Sequence, residues 1–139
     1  GLGADGAPLG DNLAVFMQLR LAALIHLPRG GPTSMSALQA REMATLNGAK
    51  ALGLEGEIGV LQEGARADVI TVDLSGAHST PNSDDAISTL VYSGQSRDVR
   101  DVVVNGETLM RDRRLLKVDE TAILAAGRAA SARLVSQLD

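Results

Sequence analysis

Few side chains in this sequence have the types and the spacing that catalysis requires. The chain has two histidines, His26 and His78, and no cysteine. A catalytic zinc takes three protein ligands, and neither histidine has a second ligand near it in the sequence. Asp84 and Asp85 are adjacent carboxylates, but helix capping and solvation account for them. Taken alone, these residues predict no complete catalytic site.

The histidines fit structural positions. His26 is predicted near the end of the first long helix, where a cationic ring suits the helix C-terminus. His78 lies in a polar stretch, residues 75–83, and is predicted to be a loop residue.

A glycine-rich segment opens the sequence, where Gly1, Gly3 and Gly6 match the pattern G-x-G-x-x-G. In a dinucleotide site this pattern follows a strand and opens a helix. That context is missing, because Pro8 and Gly10 separate it from the first predicted helix. A flexible terminus is the plainer interpretation, and a nucleotide site would require phosphate compounds to raise thermal stability.

Composition excludes several classes of function. The 139 residues are 45% hydrophobic and 1% aromatic, with a net charge of −4. A nucleic-acid partner is disfavoured, since basic runs and stacking rings are missing. No apolar run has membrane-spanning length and no signal peptide is visible, so we expect no membrane partner. The lack of cysteine fits a reducing, cytoplasmic location, and the missing initiator methionine predicts a fragment or a processed product.

The stretch 45–74 is the junction between two predicted architectures. Thr45 is predicted to cap a short helix that Gly53 ends. Three more glycines then turn the backbone, and a β-branched run over residues 67–74 predicts a strand.

Helices are predicted before this junction. The first has Asp11 as its N-cap and ends before Pro28. The second begins at a capping box formed by Ser36 and Gln39 and continues to about Ala44.

Strands and turns predominate after the junction. Asp84 or Asp85 is predicted to cap a brief helix that ends near Tyr92. Asn105-Gly106 between β-branched runs is a strong signal for a hairpin.

A last helix is predicted over residues 120–138, with Asp119 as its N-cap. It carries an apolar stripe of the kind that is usually core or a packing seam. A subunit contact through residues 129–132 is the alternative.

The stretch from residue 44 to residue 69 resembles the amidohydrolase superfamily. That family has the pattern A-T-x-x-G-A-x-A-L-G-L followed by E-I-G-x-L-x-x-G-x-x-A-D-V. The matching positions here are Ala44-Thr45, Gly48-Ala49, 51–54, 57–59, Leu61, Gly64 and 67–69. The resemblance extends over nearly the whole chain but only over the C-terminal third of a typical family enzyme.

This resemblance implies a fold. The chain would be an α/β fragment: the C-terminal helices of a (β/α)8 barrel, part of a small β-sandwich and a C-terminal helix. The implied boundaries are residues 1–56, 57–118 and 119–139. The family commonly has D-G-R at the turn where this sequence has Asp112-Arg113-Arg114, so that turn is predicted to differ or to be strained.

The resemblance also implies site residues. Asp5 matches the family's metal ligand at the end of the eighth barrel strand. One of its oxygens would bind a divalent metal, zinc or iron, and the other would accept and return a proton. Asn12 matches a segment beside the active site and is expected to contact the substrate, with helix capping as the alternative.

The implied reaction is hydrolysis of a carbon–nitrogen or carbon–halide bond on a purine-like or triazine-like ring. Similar enzymes are deaminases of adenosine derivatives, guanine-type deaminases and triazine hydrolases. The His-x-His pair and other ligands of that family are missing, so the chain alone is expected to hold no metal and to be inactive. The expected partners are a small heterocyclic substrate, and a missing N-terminal barrel portion or another copy of the chain.

A second hypothesis is a stand-alone structural or interaction module derived from an amidohydrolase tail. Its sheet would keep unpaired edges, which favours dimerisation.

Overall fold

The elements before the predicted junction are helices, whereas strands and two further α-helices follow it among the described residues. The computed structural model describes residues 1–6, 12–81 and 84–137. The helices are α1 (Val15–Ile25), α2 (Leu27–Gly30), α3 (Ala37–Ala44), α4 (Leu46–Ala51), α5 (Ala86–Ser93) and α6 (Glu120–Val135). The strands are β1 (Val69–Val72), β2 (Val99–Val104), β3 (Glu107–Arg111) and β4 (Arg114–Leu115).

The buried core lies among α1, α3 and α5. Its fully or nearly buried residues are Leu19, Ala23, Ala37, Ala40 and Val91. Three of these five are alanines, so the helices approach closely. The partly buried residues packed against them are Leu2, Met35, Ala44 and Ile87.

Local signals set most helix ends. The Ser36 hydroxyl accepts from the Gln39 N–H, and the Gln39 side chain accepts from the Ser36 N–H, which confirms the predicted capping box. Asp85 caps α5, because its Oδ1 accepts from the N–H groups of Ile87 and Ser88. Asp11, the predicted cap of α1, lies outside the described residues, and α1 begins after Ala14.

Thr45 is the N-cap residue of α4, as predicted, but its side chain makes no capping hydrogen bond. Its hydroxyl donates to the Arg41 carbonyl at 3.0 Å, back into α3. Such a bond to the residue four positions earlier competes with capping.

The end of α4 is the predicted glycine stop. Gly53 has φ of +71°. Its N–H donates to the Lys50 carbonyl, and the Leu54 N–H reaches the Ala49 carbonyl at 2.9 Å. This pair of bonds is a Schellman motif, which requires a left-handed residue where Gly53 stands.

The four strands form one antiparallel sheet in the order β1-β2-β3-β4. The Asn105-Gly106 hairpin is confirmed, with both residues at positive φ as a tight two-residue turn requires. β1 begins later than the predicted run 67–74, because Asp68 is used in turns. Its N–H donates to the Arg66 carbonyl and its Oδ1 accepts from the Asn105 N–H.

One face of the sheet carries an apolar row. Ile70, Val102, Met110 and Leu115 are paired in register across the four strands. Ile70 is 50% exposed and Leu115 is 44% exposed. The two ends of this row are therefore exposed.

The last helix differs from its prediction. α6 ends at Val135, and the Asp119 side chain caps it as expected by accepting from the Ala122 N–H. None of its described residues is buried, so the apolar stripe is not core in this structure. No described helix has the length and apolar character needed to cross a membrane. The domain boundaries at residues 56 and 118 stay predictions.

Candidate functional site

Asp5 lies on a short extended segment that the helical layer holds at its beginning. The Leu2 N–H donates to the Met43 carbonyl near the end of α3, at 3.1 Å. The Leu2 side chain packs against the core. Residues 1–6 are therefore fixed at Leu2, and Asp5 extends from that point.

The Asp5 side chain is exposed and is held by its own backbone turn. Its φ is +57°, a left-handed value that aspartate tolerates better than most residues. Its Oδ1 accepts from the Gly6 N–H at 2.6 Å. Its Oδ2 contacts no partner within the described part of the chain. A carboxylate with one open oxygen suits a divalent metal as a single ligand.

Asn12 occupies the beginning of α1. Its Oδ1 accepts from the Ala14 N–H at 2.8 Å, and its Nδ2 lies 3.8 Å from the Met17 sulfur. The capping alternative thus has direct support, because this oxygen satisfies a backbone donor just before the helix. Its predicted substrate contact stays a prediction, and the described residues show no contact between Asn12 and Asp5.

His78 has a partner that its local sequence does not reveal. It lies in the short 3-10 turn Ala77–Ser79, and its Nε2 is 2.8 Å from Asp98 Oδ2. Asp98 is only 4% exposed, and its Oδ2 also accepts from the Gln95 N–H at 2.9 Å. Because the two residues are 20 positions apart, only the tertiary structure could identify the pair. The His78–Asp98 pair joins the segment after β1 to the residue just before β2.

A polar cavity of about 280 Å³ lies beside His78. Five hydroxyl-bearing residues line it: Ser79, Thr80, Ser88, Thr89 and Ser93. Thr80 Oγ1 donates to the Gly76 carbonyl and Ser88 Oγ donates to Asp85. Since the imidazole Nε2 is paired with Asp98 and these two hydroxyls are engaged, the arrangement indicates a structural role.

The described residues contain no group of three or more His, Cys, Asp or Glu side chains that could hold a metal ion. Asp5 fits one ligand position, and the other ligands of a metal site would have to come from outside the described chain. His26 is exposed at the end of α1.

Comparison with known proteins settles the family. The sequence profile described as "Amidohydrolase family" matches residues 1–109. The chain belongs to this family. This match confirms the family resemblance found in the sequence. Deaminase and triazine hydrolase relatives confirm the branch.

Two relatives of this amidohydrolase chain are deaminases. The 5'-deoxyadenosine deaminase of Methanosarcina acetivorans is 44% identical over 137 residues, which are 98% of this chain and 31% of that protein. The 5-methylthioadenosine/S-adenosylhomocysteine deaminase of Acetivibrio thermocellus is 45% identical over 125 residues, 88% of this chain and 28% of that protein.

Two solved structures have the same fold over most of the chain. An adenosine deaminase from Xanthomonas campestris with bound zinc matches with a TM-score of 0.88 and 30% identity, over 94% of this chain and 30% of that one. The atrazine chlorohydrolase TrzN from Arthrobacter aurescens, complexed with zinc, matches with a TM-score of 0.78 and 35% identity, over 89% of this chain and 28% of that one. The amidohydrolase chain thus spans about a third of the length of its relatives.

Proposed function

We propose that this chain is the C-terminal part of a metal-dependent amidohydrolase that removes an amino group from the purine ring of an adenosine derivative. The identity to two kinds of adenosine-derivative deaminase, over almost the whole chain, is the observation that carries this proposal. A triazine-like ring with a halide leaving group is the second substrate class, because the triazine hydrolases share the fold at 35% identity.

Asp5 is proposed as a metal ligand and as the group that moves a proton. The metal, when bound, supplies a Lewis acid and lowers the pKa of a water. Asp5 Oδ2 is open in the described chain, while Oδ1 is held by the Gly6 N–H. One oxygen can bind the ion while the other receives a proton and returns it to the leaving amino group. Zinc is favoured over iron, since the solved relatives hold zinc.

The exposed apolar surface supports a longer functional protein. On α1, Leu21 is 51% exposed and Ile25 is 60% exposed, and on α6 Leu134 is 65% exposed. Surfaces of this kind on several elements are typical of interfaces. The proposed partner is the N-terminal portion that the relatives have, with residues 1–56 completing a barrel and residues 57–118 a sandwich. The isolated chain is proposed to be inactive, because it supplies one ligand.

The experiment uses the complete polypeptide, with zinc content measured by mass spectrometry and deamination of 5'-deoxyadenosine measured by absorbance. Asp5→Asn is expected to lower kcat by about 10²–10⁴ and to deplete zinc. Asp84→Asn, an exposed carboxylate far along the chain, serves as the matched control. Full zinc and full activity in Asp5→Asn would remove Asp5 from the site. A chlorotriazine assayed in parallel separates the two substrate classes.

A stand-alone module is the second candidate, favoured by the edge position of β1 in the described sheet and by the exposed ends of the apolar row. Sequencing the gene upstream of Gly1 decides between the enzyme and the stand-alone module. The enzyme requires a continuous frame of about 250–300 residues that contains His-x-His. A stop codon directly upstream would favour the module, which should then self-associate through β1 without metal.

A further inference from the structure

We propose that Leu2 is the positioning residue that fixes Asp5 in its metal-binding position. The proposal rests on the proposed function of Asp5 as a ligand. It concerns a side chain that touches neither substrate nor metal and acts only through the segment that carries Asp5.

Leu2 is attached to the fold by its backbone and by its side chain. Its N–H donates to the Met43 carbonyl at 3.1 Å, which ties the segment to the end of α3. Its partly buried side chain packs against the core between α1, α3 and α5, where Leu19 is 5% exposed. Leu2 is therefore held both through its backbone and through its side chain.

The residue before Leu2 is also closely confined. A Cβ placed on Gly1 would lie 3.1 Å from the Gly48 Cα in α4, which is tighter than ordinary contact. The backbone of residues 1–2 therefore rests against α3 and α4 together. Gly48, a residue of the family pattern, thus lies against the segment that carries Asp5.

Beyond Leu2, Ala4 is also half-buried, whereas Gly3, Asp5 and Gly6 are exposed. A Cβ on Gly3 would meet nothing within 4 Å. Within residues 3–6, the Gly6 N–H donates to Asp5 Oδ1, a bond that lies inside the segment itself. Three residues span at most about 10–11 Å. In this described segment Leu2 combines a backbone hydrogen bond with packing against the core, so a loss of its packing is expected to displace Asp5.

Metal affinity distinguishes a positioning role from ordinary core packing. Removing a group that orients a ligand typically weakens metal binding by about 10–100-fold. A core residue that does not support the ligand lowers stability and leaves the affinity of the folded protein unchanged. Leu19 supplies that comparison, because it is buried in the same core but on α1, in a different element from Asp5.

The test compares Leu2→Ala, Leu2→Met and Leu19→Ala in the complete polypeptide. Zinc affinity is measured by competition with a chelator, site geometry by the visible spectrum of the cobalt-substituted protein, and stability by Tm. We expect Leu2→Ala to weaken zinc binding by about 10–100-fold and to alter the cobalt spectrum. Leu2→Met keeps the volume and should restore both, while Leu19→Ala should lower Tm but leave zinc affinity within about threefold.

Equal zinc affinities in Leu2→Ala and Leu19→Ala, or an unchanged cobalt spectrum in Leu2→Ala, would overturn the proposal. If Leu2→Ala does not fold, Leu2→Val gives the same comparison with a smaller truncation. Asp5→Asn shows whether a negative result contradicts the proposed function or only the role of Leu2. Zinc kept in Asp5→Asn contradicts the proposed function itself, whereas zinc lost there but kept in Leu2→Ala contradicts only the role of Leu2.

Discussion

The guanidinium of Arg113 donates to Asp73 Oδ2 at 3.1 Å and so joins two turns that are 40 residues apart. The Arg113 Nε also donates to the Arg97 carbonyl at 3.0 Å. Arg113 has φ of +63°, and Asp112 before it has φ of +46°. The turn between β3 and β4 therefore has two non-glycine residues in the left-handed region, and the strain predicted there stays a prediction. The side-chain bonds of Arg113 offset part of that strain.

Two substitutions of Arg113 should separate the contributions of its backbone conformation and of its side-chain bonds to stability. Both Arg113→Ala and Arg113→Gly lose the bonds to Asp73 and Arg97, but only glycine relieves the left-handed backbone. Since that conformation costs other residues roughly 1–2 kcal/mol, the alanine variant should be less stable than the glycine variant by about 1 kcal/mol. Urea unfolding measures the difference.

Arg114 in β4 is the control for this experiment, because it is an exposed strand residue. The order should be reversed there, since glycine in a strand is less stable than alanine by roughly 0.5–1 kcal/mol. Equal stability of the two Arg113 variants would show that the turn is unstrained.

Asp73 should make stability depend on acid pH. Hydrogen bonds from the Ser75 hydroxyl, the Ser75 N–H and Arg113 lower the pKa of Asp73 from 3.8 to about 2. A carboxyl whose pKa is lowered in the folded state contributes stability above its unfolded pKa, and this contribution is lost as the pH falls through its folded pKa. Asp73→Asn should therefore flatten the decline of the unfolding free energy between about pH 4 and pH 2.

Ser75→Ala tests the cause of that shift. It removes the hydroxyl that donates to Asp73 Oδ1 at 2.6 Å, so the pKa of Asp73 should rise toward its usual value. A carbon-detected NMR titration of the Asp73 carboxyl measures both proteins. A wild-type midpoint near 3.8 would be the contradicting result.

His78→Ala should destabilise the chain by roughly 1–3 kcal/mol, because it removes a partner from a buried carboxylate. Asp98 is 4% exposed and, within the described chain, would keep the single bond from the Gln95 N–H. Thermal or urea unfolding measures the loss. His26→Ala is the matched control, since His26 is exposed, and its effect should stay within about 0.5 kcal/mol. Similar losses in both variants would argue against the importance of the His78–Asp98 pair.

Gly59→Ala should be more destabilising than Gly53→Ala. Gly59 has φ of +77° and Gly53 has φ of +71°, so both variants pay the left-handed cost of roughly 1–2 kcal/mol. A Cβ on Gly59 would also lie 2.9 Å from the Thr45 carbonyl oxygen, whereas one on Gly53 meets nothing within 4 Å. The difference in unfolding free energy between the two variants measures the cost of the close approach to Thr45. Equal effects would mean that the backbone at Thr45 moves away freely.

Signals that span a few residues were sufficient to predict several elements. The Ser36–Gln39 capping box, the Gly53 helix stop and the Asn105-Gly106 hairpin each depend on residues within one turn of one another. Their hydrogen bonds form between near neighbours, so the sequence contains all the partners. Family membership was likewise readable from the spacing of residues 44–69, and the profile match confirmed it.

Two predictions held only in part, because the folded structure, and not the local pattern, decided the outcome. Thr45 has a hydroxyl suitable for capping α4, but in the folded chain that hydroxyl donates to the Arg41 carbonyl and makes no capping bond. The apolar stripe of α6 predicts burial, yet the described residues provide no surface that covers it. Local patterns identify what a residue can do, and packing decides which possibility is realised.

The sequence by itself determined the family, the helix and hairpin signals, and Asp5 and Asn12 as candidate residues. Only the tertiary structure decided that His78 pairs with Asp98, that Arg113 reaches Asp73, and that Leu2 anchors the segment before Asp5. Each of these contacts joins residues between 20 and 41 positions apart. Their geometry depends on how helices and strands pack together, and no short pattern of residue types records that packing.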